Sequence, residues 1–451
     1  MSTLARLLLA GLCLFACLAP SLGASASDGL TILYNGTVIP MTAPDIRFSA
    51  IAIRGGLIEA LGTDEDILAI AGEDRLAIDL AGRAVYPGFI DAHAHLLGHA
   101  NLAGLSMAGA EQLALSYGVT HVTDMHVSET DLRALTSHAR TSGALRVSAY
   151  LIYNDGCGYI HGPWYTRYRS DQELAPRLYV GGVKIFSETS VCGSSGPGIS
   201  FSDAEKQDLS VRGRTRYGRT EPLFDKNTLA GIIQAAEDAG FQVAVHAIGD
   251  GGIHATLDAI EIALDGGLNA YRHMLLHNWF VFDDALDRYV ELGVPLSIEA
   301  PSPCYVASSE ALLAADSTHV LFRAGDLVRS GAIVASSSDW PWVVPANLNP
   351  MYRLSMLVNG FSATADYWAS NGTCPSLDAS SRVTAWQALR MMTANAAYVL
   401  RIEHLSGTLE PGKRADLVVL SNDPLQMSPA FYDLIQAEIT MVGGEIVWEQ
   451  P

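Results

Sequence analysis

From about residue 86 to residue 402 the chain repeats one pattern: a short apolar run, a polar or Gly-rich turn, then a stretch with apolar positions three and four residues apart. Short apolar runs bounded by turn residues read as buried strands, and the three/four spacing reads as amphipathic helix, so the rhythm is that of repeated β-α units. The pattern predicts one strand ending at His93 and His95. Others are predicted over Val119 to Met125, Arg146 to Tyr153, Gly182 to Phe186, Gln242 to His246, Met274 to His277, Pro295 to Glu299 and Ile333 to Ser337. A representative helix is expected from Thr228 to Ala239, capped by Asn227, with Leu229, Ile232, Ile233 and Ala236 on one face and Gly240 as its stop. Eight such units predict an α/β fold, a (β/α)8 TIM-like barrel, whose chemistry belongs at the C-terminal strand ends.

The flanks differ in character. Leu30 to Val38, Ile46 to Arg54 and Leu57 to Gly62 read as short strands between turns, as do Asp416 to Leu420 and Ile439 to Trp448 near the other end. Because the two termini of a domain often lie close together, both flanks are expected to pair into one small composite β-sandwich. The expected organisation is a signal peptide over 1–26, the N-terminal half of the sandwich over 27–85, the barrel over 86–402 and the C-terminal half of the sandwich over 403–451.

The signal expectation rests on Arg6, the uncharged run Leu7 to Ala19 and an Ala-x-Ala site at Ala24-Ser25-Ala26. It predicts a secreted or periplasmic protein. A lipoprotein site at Leu14-Phe15-Ala16-Cys17 is the lesser alternative, because bulky Phe15 stands where a small residue is usual. With 28 basic residues against 48 acidic and a net charge of −20, the surface repels nucleic acid and anionic membranes and slightly favours neutral or cationic substrates; a small-molecule substrate is the expected partner. A homo-oligomer stays open. Cys157, Cys192, Cys304 and Cys374 remain after the signal is removed, an even number that allows three pairings. Their placement along the chain favours Cys157 with Cys192 and Cys304 with Cys374; the alternative is buried free thiols.

The candidate chemistry gathers at the predicted strand ends. His93 and His95 are two residues apart, and in an extended strand alternate side chains share a face about 6.5 to 7 Å apart, so both imidazoles can reach one metal ion. Lys184, His246 and His277 lie on later strands and Asp339 follows the last. Singly, each has a structural alternative: a snorkelling lysine, a hydrogen-bonded core histidine, a helix cap. Jointly, four histidines, a lysine and a carboxylate at one mouth point to a metal. Residues just past strand ends are the candidates for substrate contact: His126, Tyr153, Asn154, Glu188, Trp340 and Trp342.

The segments Gly88-Phe89-Ile90-Asp91-Ala92-His93-Ala94-His95, Gly182-Val183-Lys184-Ile185-Phe186, His246-Ala247-Ile248-Gly249-Asp250, Ser338-Asp339-Trp340-Pro341 and the tail Gly407 to Leu420 resemble the amidohydrolase superfamily of metal-dependent hydrolases. The likeness is to its amidohydrolase-3 branch, which includes N-substituted formamide deformylase. The resemblance implies that His93, His95 and Asp339 hold a buried divalent metal, by default zinc, and that His246 and His277 hold a second. Lys184, carrying a carboxylate derived from carbon dioxide, would bridge them; one ion with Lys184 unmodified is the alternative. It further implies hydrolysis of a non-peptide or small amide-type C–N bond by a metal-activated hydroxide, with Asp339 as general base and acid. A deaminase, a cyclic amide or ester hydrolase, and a non-catalytic barrel are the alternatives. The chain departs from the branch at Leu276, where Glu is usual, at Glu188-Thr189-Ser190, where Asp-Gly-Ser is usual, and in a short interval between His95 and Lys184.

Overall fold

The structure, a computed structural model, describes residues 29–70, 75–188, 222–300, 320–343, 345–360 and 381–451. The expected signal segment and Cys192, Cys304 and Cys374 lie outside the described residues. Cys157 is described and is disulfide-bonded. No helix among the described residues is long and apolar enough to cross a membrane.

Eight parallel strands form the barrel: β1 Phe89–Ala94, β2 Val119–Val127, β3 Arg146–Ile152, β4 Leu178–Phe186, β5 Val243–Ala247, β6 Met274–His277, β7 Leu296–Glu299 and β8 Val334–Ser337. Each pairs with its neighbours in chain order from β1 to β8. Almost every residue of these strands is buried, as expected of parallel strands covered on both faces. The circle closes through Asp339 N–H donating to the His93 carbonyl at 2.9 Å and His95 N–H donating to the Trp340 carbonyl at 2.8 Å.

Between strands lie helices with the expected apolar faces. The representative one spans Lys226–Asp238 and buries Leu229, Ala230, Ile233 and Ala236. Its N-cap is Asp225, whose carboxylate accepts the Asn227 and Thr228 N–H groups, so the cap falls two residues earlier than predicted. Gly240 follows it at φ +87°, a conformation that costs a glycine little.

Two further sheets sit at the strand-start end of the barrel. One orders Leu57–Gly62, Ala50–Arg54, Leu30–Tyr34 and Arg75–Asp79. The other orders Glu445–Glu449, Ala437–Val442, Leu417–Leu420, Ala84–Pro87 and Thr37–Val38, drawing strands from both ends of the chain. Leu33, Ile51, Ile53, Val85, Leu417, Val419 and Ile439 pack between them. The junction with the barrel is a buried ion pair: Arg146, the first residue of β3, donates to Asp416 through Nε at 2.7 Å and Nη2 at 3.0 Å. Asp416 also accepts the Gly443 N–H at 2.7 Å, and its carbonyl accepts the Gly88 N–H one residue before β1.

The Arg146 guanidinium and these donors hold the Asp416 carboxyl below its ordinary value against the opposing effect of burial. A group depressed in the folded state contributes stability that is complete above its unfolded pKa, here roughly 4, and is lost as pH falls through the lower folded value. Asp416→Asn leaves Arg146 buried without a counter-charge, which is expected to cost about 3 kcal/mol at neutral pH. Denaturant titrations at pH 7 and below pH 4 check this: the variant should start lower and lose less stability on acidification than the parent.

Candidate metal centre

The six candidate ligands converge. His93, His95, Lys184, His246, His277 and Asp339 are all buried at the C-terminal mouth of the barrel. Asp339 Oδ1 lies 3.2 Å from His95 Nε2 and 3.5 Å from His93 Nε2. The His93 and His277 rings are 4.8 Å apart between centroids, and those of His277 and His246 4.3 Å. Lys184 Nζ sits 4.8 Å from the centre of the Phe186 ring.

Local sequence places each group. Gly181 and Gly182 precede Lys184 because a Cβ at either would lie 2.5 Å from a ring carbon of Tyr150, so only glycine lets β4 pass that ring. After β1 the chain turns under Asp124 of β2, whose carboxylate accepts the Leu97 and Gly98 N–H groups at 3.0 and 2.9 Å. That turn delivers His99. His277, Asn278 and Asp339 all adopt left-handed backbone, at φ +74°, +55° and +48°. Non-glycine residues rarely do so, and the strain, about 1–3 kcal/mol each, marks places where surrounding structure dictates the side-chain direction.

The electrostatics suit a cation. Burial, reinforced by the Lys184 ammonium and neighbouring histidines, pushes His93 and His246 well below the ordinary histidine value; burial with His99 and His126 does the same for His95. All three are neutral at physiological pH and offer a lone pair. Burial brings Lys184 down to about 7, opposed by the carboxylates of Asp339 and Glu299. Burial and the Glu299 charge raise the Asp339 carboxyl well above the ordinary range. Among the described residues, both ring nitrogens of His93, Nδ1 of His95, Nε2 of His246 and Nζ of Lys184 are buried without a hydrogen-bond partner. Buried polar atoms normally have one.

Four-coordinate zinc binds nitrogen and oxygen at about 2.0–2.2 Å, which separates tetrahedral ligands by about 3.3 Å. The two spacings from Asp339, 3.2 and 3.5 Å, lie close to that value, and His93, His95 and Asp339 form one group able to hold an ion; His93, His277 and Glu299 form another. Donor set, spacing and orphaned atoms therefore fit a divalent metal. Above them opens a cavity of about 250 Å³, walled in part by His126, Phe186, Ile248 and Trp342.

A model of the amidohydrolase family matches residues 110–448. The chain belongs to the amidohydrolase family. The match begins downstream of His93 and His95. Among relatives of this amidohydrolase, YtcJ of Bacillus subtilis is 26% identical over 296 residues, 64% of this chain and 51% of YtcJ, so the chain spans about half the length of that relative. An imidazolonepropionase of Symbiobacterium thermophilum is 27% identical over 82% of this chain and 83% of its own. The fold matches that of an uncharacterized metal-dependent hydrolase of Pyrococcus horikoshii with a TM-score of 0.70, at 20% identity over 89% of this chain and 99% of the other.

The candidate substrate contacts divide. His126 and Trp342 line the cavity, the latter 45% exposed and edge-on to His95 and His99. Asn154 does not face it: its carboxamide accepts the Phe186 N–H and donates to the Phe186 carbonyl, both at 3.0 Å, clamping β4 to the loop after β3. Glu188 is likewise buried, its Oε1 accepting the Ile248 and Gly249 N–H groups at the start of the helix Asp250–Leu264. Tyr153 packs on Phe224, and Trp340 is 2% exposed. Sequence reasoning missed His99, Asp155 and Trp279, which line the cavity, and Glu299. Glu299 stood at a predicted strand end like the candidate ligands, which was the available signal.

Asn154→Ala would leave two backbone groups of Phe186 unpaired and is expected to destabilise the fold by about 2 kcal/mol. His126→Ala should leave stability near that of the parent. Thermal or denaturant unfolding of the two variants side by side checks the assignment.

Proposed function

We propose that this amidohydrolase is a metal-dependent hydrolase of a non-peptide or small amide-type C–N bond. The observation that carries the reading is the convergence of four histidines, a lysine and a carboxylate in one buried cleft, with ring nitrogens of the histidines and the lysine amine left without a hydrogen-bond partner. His93, His95 and Asp339 would hold one ion, and His246 and His277 a second, with Lys184 between them. Histidine and carboxylate donors make zinc the default. A divalent ion in such a cleft lowers the pKa of bound water towards neutrality and polarises a substrate carbonyl.

The chain's own residues supply the rest. Asp339, its carboxyl raised by burial and by Glu299, is suited to take a proton from water and return it to the leaving nitrogen. Lys184 has the free amine near neutral pH that carboxylation by carbon dioxide requires. The cavity of about 250 Å³ admits a small substrate, and Phe186, Ile248 and Trp342 offer it an apolar wall. A second reading, hydrolysis of a cyclic amide, is favoured by the likeness to an imidazolonepropionase, whose name carries such a ring. Export through residues 1–26 belongs to the same proposal.

The test pairs a substrate panel of N-formyl amines, acyl amino acids and lactams with metal analysis. Turnover should vanish on chelation and return with zinc, and Asp339→Asn should lower kcat roughly 10²- to 10⁴-fold. Two ions per chain falling to one or none in Lys184→Ala would support the bridge, whereas an unchanged count removes Lys184 from the site. Turnover of an amino-heterocycle with none on any amide would overturn the main reading.

A further inference from the structure

The proposed ligand set leaves one carboxylate of the cleft without a task. Glu299 ends β7 and is 2% exposed. Its Oε1 lies 3.1 Å from His277 Nδ1 and 3.7 Å from His93 Nδ1. Its other oxygen accepts the Trp279 indole N–H at 2.8 Å. One carboxylate thus faces a histidine from β1 and a histidine from β6, and the indole fixes how its plane is turned.

His93 has a carboxylate opposite each ring nitrogen: Glu299 at Nδ1 and Asp339 at Nε2. A neutral imidazole carries one N–H and one lone pair. Only the tautomer with the proton on Nδ1 directs the lone pair of Nε2 at the grouping with His95 and Asp339. The opposite tautomer would set a nitrogen lone pair against the Glu299 oxygen where both groups are buried, an unfavourable contact. The same reasoning applies to His277, whose Nδ1 faces Glu299 and whose Nε2 is then the nitrogen left for an ion. Neither Nδ1 contact is an aligned hydrogen bond as it stands: His93 Nδ1, His277 Nδ1 and Glu299 Oε1 are buried facing one another without another partner.

We propose that Glu299 is a positioning residue that sets the tautomer and ring orientation of His93 and His277 together, so that one histidine of each proposed metal pair is governed by a single carboxylate. This rests on the reading of those histidines as metal ligands. Direct ligation by Glu299 together with His93 and His277 is geometrically available, since their ligand atoms lie within 4.8 Å of one another. It is disfavoured because it recruits His93 Nδ1, and His93 could then serve the ion beside His95 only as a doubly deprotonated bridge. Carboxylates that accept from the far nitrogen of a ligand histidine raise its basicity and hold its orientation, and their loss weakens metal affinity about 10- to 100-fold.

The experiment is metal titration of the purified full chain with zinc and cobalt(II), reading ion content by elemental analysis, affinity by chelator competition and the cobalt visible spectrum. Glu299→Gln keeps the shape and an oxygen for the indole. The expected result is a full ion complement at saturating metal, with the affinity of every bound ion weakened about 10- to 100-fold and a shifted cobalt spectrum. Trp279→Phe, which frees the carboxylate without removing its charge, should weaken affinity in the same direction by less, and supplies the test if Glu299→Gln fails to fold. Loss of one ion outright with the other unaffected makes Glu299 a ligand and overturns the positioning role, as does unchanged affinity throughout. A parent chain that binds no divalent ion overturns the functional reading as well, and is told apart because the failure appears before any substitution.

Discussion

Two backbone hydrogen bonds, from Asp339 to the His93 carbonyl and from His95 to the Trp340 carbonyl, join the last strand of the barrel to the first. They fix the distance between residues that are remote in sequence, and that distance sets the spacing of the His93, His95 and Asp339 side chains. A barrel whose seam slipped by one residue would turn those side chains to the other face, because alternate residues of a strand point opposite ways. The metal grouping is therefore a consequence of closure, and closure comes before chemistry in the hierarchy of this fold.

Burial makes the cleft electrostatically unusual. Charged groups taken out of water are costly unless they are paired, and many titrating groups here resolve the cost by becoming neutral: the histidines lose their protons and Lys184 moves down to about 7. What remains is a buried pocket of lone pairs in which the Asp339 and Glu299 carboxylates face the histidines. Such a pocket lowers stability when considered alone, and the left-handed conformations of His277, Asn278 and Asp339 add to that. The surrounding barrel offsets both, with its strands buried on both faces and its strand-start end held to the sandwich by the Arg146–Asp416 pair.

The eight strands were legible because parallel strands buried on both faces are written as continuous apolar runs, and the candidate ligands stood out because they lie at or within two residues of the ends of such runs. The errors have a common physical origin. Asn154 and Glu188 also stand past strand ends, but their polar atoms are consumed by backbone N–H and carbonyl groups of neighbouring segments, a fact set by cross-strand distance that one-dimensional spacing does not carry. Glu299 escaped as a site residue for the converse reason: its strand-end position was visible in Leu-Ser-Ile-Glu, but only the approach of β1 and β6 gives it histidine partners. The helix cap at Asp225 was displaced by two residues because Asn227 and Asp225 are both good caps and the choice depends on the chain entering the helix.

The seam is also supported from outside, which explains the Asn349-Pro350 pair that follows the last strand. Asn349 caps the helix Pro350–Asn359, and Pro350 costs that helix nothing in its first turn. One turn in, Arg353 is fully buried and donates to the Ser336 carbonyl of β8 at 2.8 Å, with Asp91 of β1 at 3.9 Å. Asp91 in turn accepts the Ser338 N–H at 2.9 Å. A guanidinium and a carboxylate thus lace β1 to β8 behind the residues whose side chains meet in front. Asp91 is two residues from His93 on one strand, and Ser338, which donates to it, immediately precedes Asp339 at the end of the other, so any shift of the lacing is transmitted to the candidate ligands. The tail of the barrel is in this sense a component of the candidate metal centre, although none of its described side chains lines the cavity.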